Sequence, residues 1–179
     1  MRSIVDDRRS ILHHAIRADA GPDSLPQLRR GKFMNANATN PVTALLEGYK
    51  AAVHAKDADA FAALYDANVR VFDMWGEWSR EGIDAWRAMA VGWFQSLASE
   101  RVIVGVDDLR MELADDLATA QAFLTYTAVS AEGRELRSMN NRLTLVARRK
   151  EGAWKIVHEH TSAPADFSTS KLLLRRAPR

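Results

Sequence analysis

Asp73 closes the run VRVFD, two residues beyond Val71 and four beyond Val69, so strand alternation turns its side chain toward the face those two valines share. A carboxylate drawn partly out of water at such a place is a proton acceptor suited to near-neutral pH. The same residue can instead cap the strand end by bonding backbone N–H groups of the MWGEW turn that follows. Tyr49 is the second oxygen acid of interest. It falls with Val42, Leu45, Leu46 and Val53 on one helical stripe. A phenol facing a pocket donates a hydrogen bond to an oxyanion developing on a substrate. Its alternative is a core tyrosine with the hydroxyl at the edge.

Around this pair stand residues that can shape or orient a ligand. Trp75 and Trp78 suit a pocket wall. Arg142 and Thr144 share a strand face with Val146, where an arginine pairs with Asp73 or a ligand anion if the face is interior, or sits at the rim if it is not. Glu159 falls on a face with Val157 and Thr161, as a pocket carboxylate or a solvated one. His158 and His160 have the H-x-H spacing of strand metal ligands, but the sequence marks no third ligand. Strict alternation puts both imidazoles beside Trp154 and Ile156, so no metal is expected. Asp107, Asp108, Asp115 and Asp116 fit strand ends and turns. The chain has no cysteine, which rules out disulfides, thiol catalysis and cysteine-ligated metals. No phosphate-binding glycine loop is present, and no cofactor is expected.

Several elements must position these side chains. Asn40-Pro41 caps a helix that carries Tyr49. Asp57 caps a second, short helix with Phe61, Leu64 and Tyr65 on its apolar side, and NVRVFD follows as a strand. After Gly82, the spacing of Ile83, Trp86, Met89, Ala90, Trp93 and Leu97 predicts a third helix. From residue 101 the period changes to two. VIVGVDDLRMEL, LATAQAFLTYTAVS, LRSMNNRLTLVARR and WKIVHEHTS read as consecutive strands joined by ADD, AEGRE and RKEGA turns. Helices followed by an antiparallel meander predict an α+β fold, with the N-terminal helices packed on one face of a curved sheet.

The 179 residues fit one such domain spanning residues 41–165, preceded by a poorly structured or helical extension at 1–40 and followed by a basic tail at 166–179. RRSILHHAIRA is a short helix candidate in the extension, and Met34 offers an alternative start. Residues 1–33 carry seven Lys/Arg and four Asp/Glu, and residues 166–179 carry four and one, so each tail is +3. The net charge of +2 therefore leaves −4 on residues 34–165. An acidic body with basic tails lacks the clustered stripe of a nucleic-acid binder. No apolar run approaches a membrane span, and the N-terminal residues lack the pattern of a secretory signal, so a cytoplasmic location is expected.

Residues 41–165 resemble the SnoaL-like members of the nuclear transport factor 2-like superfamily. The likeness rests on LLEGYKAAVHAKDADAFAALYDANVRVFD, on the glycine nine residues after Asp73, and on RLTLVARRKEGAWKIVHEHTSAP. The closing W-K-I-V-H-x-H-x-S-x-P is similar to the association domain of calcium/calmodulin-dependent kinases. The resemblance implies a cone made by a bent sheet on a long helix, a small-molecule pocket inside it, and a homodimer. Compared with ketosteroid isomerase, a member of the superfamily, Asp73 matches the proton-shuttling aspartate and Tyr49 the oxyanion-stabilising tyrosine. The second acid of that site has no counterpart in LRSMNNRLTLVA, where Asn141 or Thr144 falls nearby. Thr161 stands where the kinase domain has a pocket arginine. Two readings follow: acid–base chemistry on a small apolar carbonyl or epoxide with Asp73 as base, or a non-catalytic ligand-binding or oligomerisation domain.

Overall fold

A computed structural model describes residues 40–177, and the candidate helix RRSILHHAIRA and Met34 lie outside them. Three helices come first: α1 (Pro41–Ala55), α2 (Ala58–Ala62) and, after two strands, α3 (Ile83–Ser96). The Asn40 side chain accepts the Val42 N–H at the start of α1, and Asp57 does the same for Asp59 and Ala60 at the start of α2. Gly82 begins α3 at φ +81°, a left-handed value that a side chain would strain, while its N–H bonds Val69 O at 2.8 Å.

The strands β1 (Tyr65–Phe72), β2 (Arg80–Glu81), β3 (Arg101–Leu113), β4 (Leu117–Val129), β5 (Glu135–Lys150) and β6 (Ala153–Ser162) form one curved sheet in the order β2-β1-β6-β5-β4-β3. All neighbours are antiparallel except β1 and β6. The helices cover one face, where Phe61 is fully buried among the rings of Tyr49, Tyr65, Trp86 and Phe94 at centroid distances of 5.2–6.0 Å.

Register decides which side chains meet on that inner face. One row across the sheet runs Arg80, Val71, Glu159, Leu145, Ala120, Met111. Another brings Asn141 opposite Leu124, and Tyr126 lies between Met139 and Val104. Four register shifts interrupt the pairing, and two of them move residues singled out above. Asp107 and Asp108 sit inside β3 at a bulge, with Asp108 at φ +50°, rather than at a strand end. In β6, Ile156 pairs with Ala147 and His158 with Val146, which makes Val157 an extra residue. Beyond this bulge the even-numbered positions point away from the core. His158 and His160 therefore lie opposite to Ile156, edge-on to Phe72, and His158 Nδ1 is 2.8 Å from Arg70 O.

The tail beyond β6 is also ordered. Asp166 accepts hydrogen bonds from the N–H and hydroxyl groups of Ser168 and Thr169, and a bridge joins Ala165 to Leu172. The chain then reaches the stretch of β5 that β6 is too short to cover, where Asn140 N–H donates to Leu174 O at 2.7 Å. Arg176 N–H donates to Asn140 Oδ1, and its guanidinium lies 4.1 Å from the Phe123 ring centre. Among the described residues no helix is long and apolar enough to cross a membrane.

Candidate functional site

Between the helices and the inner sheet face lies a cavity of about 640 Å³. Its walls are largely aromatic and aliphatic, with Phe61, Trp86, Met89, Trp93, Leu97 and Val102 among them. Polar groups enter from six places: Tyr49 from α1, Asp73 just past β1, Arg80 from β2, Tyr126 from β4, Asn141 from β5, and Glu159 with Thr161 from β6. Such convergence of a few polar groups on an apolar hollow is the usual form of a small-molecule site.

Asp73 is half-buried and continues the inward face of Val69 and Val71. Its Oδ1 accepts the Thr161 hydroxyl at 2.9 Å, and Thr161 Oγ1 in turn accepts the Met74 N–H at 3.1 Å. Thr161 thus ties the carboxylate to the start of the following turn. Among the described residues no lysine or arginine forms an ion pair with Asp73.

Tyr49 and Tyr126 share a 2.8 Å hydrogen bond between their hydroxyls. One of the two O–H hydrogens closes that bond, which leaves the other for a ligand oxygen. Burial raises the pKa of both phenols above their ordinary value, so each remains a neutral donor at physiological pH. The Asn141 amide, beside Tyr126, acts in the opposite sense on that hydroxyl. Asn141 is itself buried, and its Oδ1 has no hydrogen-bond partner among the described residues.

Glu159 is only 3% exposed, and its Oε2 accepts the Tyr65 hydroxyl at 2.7 Å. Burial pushes its carboxyl up to about 7; the Tyr65 hydrogen bond opposes the shift and the nearby Asp73 charge adds to it. The group therefore exchanges a proton near neutrality, inside a cavity that also holds Asp73.

Not every residue singled out by pattern reaches this cavity. Trp75 lines its edge at 48% exposure, but Trp78 is 98% exposed because the turn carries it outward past Gly76. Arg142 and Thr144 alternate with buried Leu143 and Leu145, so they point to the opposite face and border a separate depression of about 350 Å³. The nearby inward residue is Asn141. Tyr126, Arg80 and Leu174 belong to the cavity without having been marked by sequence. The alternation of β4 was a usable signal for Tyr126, whereas Arg80 and Leu174 depend on pairings between distant segments. Among the described residues no three His, Asp or Glu side chains cluster as for a metal ion.

Helices on one face of a curved, mostly antiparallel sheet define the NTF2-like, cystatin-like class of fold, and solved structures share it. An NTF2-like protein of unknown function from Pseudomonas putida is 26% identical, with 76% of this chain and 94% of that one covered at a TM-score of 0.67. A protein from Xanthomonas campestris assigned to the calcium/calmodulin dependent protein kinase II association domain is 18% identical, covering 78% and 98% at 0.62. An NTF2-like protein with a cystatin-like fold from Novosphingobium aromaticivorans is 18% identical, covering 68% and 78% at 0.58. Comparison with curated proteins finds no match. The SnoaL-like domain family model matches residues 42–166, and the chain belongs to that family. Membership makes it a small-molecule binding or catalytic domain, which is as far as fold carries function.

Proposed function

We propose that the cavity performs cofactor-independent acid–base chemistry on a small, largely apolar carbonyl or epoxide ligand. Asp73 is the base. Its Oδ1 is held by Thr161, while Oδ2 has no partner among the described residues and is left to take a proton from a C–H beside a carbonyl, or from water. The unshared hydroxyl of the Tyr49–Tyr126 pair hydrogen-bonds the ligand oxygen as negative charge develops on it. Glu159, protonated at or below neutral pH, supplies a second proton source in the same hollow. The observation that carries this reading is the presence of Asp73, unpaired with any cation among the described residues, and two mutually bonded tyrosines on one apolar-walled cavity of about 640 Å³.

The test is exchange of α-hydrogens for deuterium on small cyclic ketones incubated with the protein, followed by proton NMR. Wild type is expected to accelerate exchange, and Asp73→Asn to cut the rate by roughly 10²- to 10⁴-fold. Exchange untouched by that substitution would remove Asp73 from the chemistry. The second reading is a non-catalytic ligand-binding or oligomerisation domain. It draws support from the hydrogen bonds that Asp73 and Tyr49 already make within the protein. A homodimer belongs to the proposal on the family resemblance, and analytical ultracentrifugation reads its mass.

A further inference from the structure

Arg80 occupies a two-residue strand whose only role in the sheet is to pair with β1, and its partner there is Val71. Residues directly opposite on paired strands project from the same face. Val71 is fully buried on the inner face, so Arg80 is turned inward with it, and it lines the cavity. In the same row, Glu159 lies on the other side of Val71. The two charged residues are thus separated by two strand spacings, about 9–10 Å of backbone.

What Arg80 lacks among the described residues is a hydrogen-bond acceptor. Its side chain is only 21% exposed, yet its guanidinium makes no hydrogen bond to any described residue and its Nε is buried without a partner. The single ionic contact is a 3.5 Å approach of Nη1 to Glu77 Oε1, on a side chain that is 65% exposed. An arginine carries five N–H donors in a rigid fork, and a largely buried one is normally engaged on several of them. Arg137, the other arginine at the cavity, shows the contrast: Glu100 holds it by two hydrogen bonds of 3.0 and 2.6 Å. Gly76, in the turn before β2, lies beside the fork. A Cβ built on Gly76 would stand 3.8 Å from Arg80 Nη2.

We infer that Arg80 is a carboxylate-recognition residue, and that the natural ligand is a small acid whose apolar body fills the aromatic cavity while its carboxylate takes the free fork of Arg80. The inference rests on the reading of the cavity as a small-molecule site and adds the ligand's charge to it. Asp73 and Glu159 face the same hollow, so a bound anion is held at the Arg80 end, away from Glu159. Only a fork-shaped acceptor satisfies several of the donors at once, which favours a carboxylate over a single carbonyl oxygen.

The test is isothermal titration calorimetry at fixed pH and salt with benzoate, phenylacetate and cyclohexanecarboxylate, and with the matching primary amides. The acids are expected to bind wild type more tightly than the amides by roughly 10- to 100-fold, the scale of hydrogen bonds to a charged group. Arg80→Met is expected to abolish that preference without weakening amide binding, and Arg80→Lys to restore only part of it. The acid-to-amide comparison on wild type needs no substitution, so a misfolded variant does not spare the proposal. Amides binding as tightly as acids, or an acid preference unchanged in Arg80→Met, overturns it and leaves the cavity reading standing. Failure of both series to bind overturns both.

Discussion

The Tyr65 hydroxyl donates a 2.7 Å hydrogen bond to Glu159 Oε2 in the protein interior, and among the described residues no cation forms an ion pair with Glu159. Burial lifts the Glu159 carboxyl from its ordinary 4.5 to about 7. A group whose folded value exceeds its unfolded one stabilises the fold below the unfolded value and gives that stability up as pH rises through the folded value. Stability is therefore expected to fall between pH 4.5 and 7, by an amount on the order of 3 kcal/mol, and to level off above. Glu159→Gln removes that slope and makes the protein more stable than wild type at pH 8. The carboxyls held low, Asp66 beside Lys150 and Asp166 in its turn, titrate below this window. Urea unfolding at pH 5 and pH 8 measures both effects.

Tyr49 and Tyr126 are each other's hydrogen-bond partner. Replacing either by Phe strands the remaining buried hydroxyl, at a cost of about 1–3 kcal/mol, whereas the double Phe variant leaves nothing stranded. The double variant is thus expected to lose less stability than the two single losses added together. A double-mutant cycle in urea gives the coupling directly.

Thr161 positions Asp73 by donating to Oδ1 while accepting from the Met74 N–H. Thr161→Val keeps the shape and removes the tether. The α-hydrogen exchange rate is expected to drop about tenfold with little change in ligand affinity, as for a group that acts through orientation. Combined with Asp73→Asn it adds almost nothing, because residues that act as a unit are not additive. A full additional tenfold loss in the double variant would show Thr161 acting elsewhere.

The segment after Asp166 is pinned to β5 by two hydrogen bonds of Asn140 and to β4 by one contact of Arg176 with the Phe123 ring, and it delivers Leu174 to the cavity wall. So few anchors predict local opening at a free energy well below that of global unfolding. Ending the chain at Asp166 is expected to speed amide exchange at Asn140 at least tenfold while leaving Val53 in α1 protected. Hydrogen exchange by NMR resolves the two sites.

Much of the scaffold is legible in the chain because it is local. Asn40 and Asp57 announce helix starts, since their side chains accept the first orphan N–H groups within three residues. The spacing of Val42, Leu45, Leu46, Tyr49 and Val53 names the buried side of α1. Asp73 is found by counting in twos from Val69, because the burial of β1 alternates from that residue onward. That count misassigns the histidine pair past Val157, where a single extra residue reverses every later side chain in β6.

What the amino-acid order determined by itself is the sequence of elements, the inward stripe of α1 and the direction of Asp73, all products of periods that extend over a few residues. Tertiary structure alone decided that Arg142 and Thr144 face outward, that Trp78 stands in solvent, and that Arg80, Tyr126 and Leu174 join the cavity. Strand partners and register are set by hydrogen bonds between segments far apart in the chain. Period two does not say which of a strand's two faces the helices will cover.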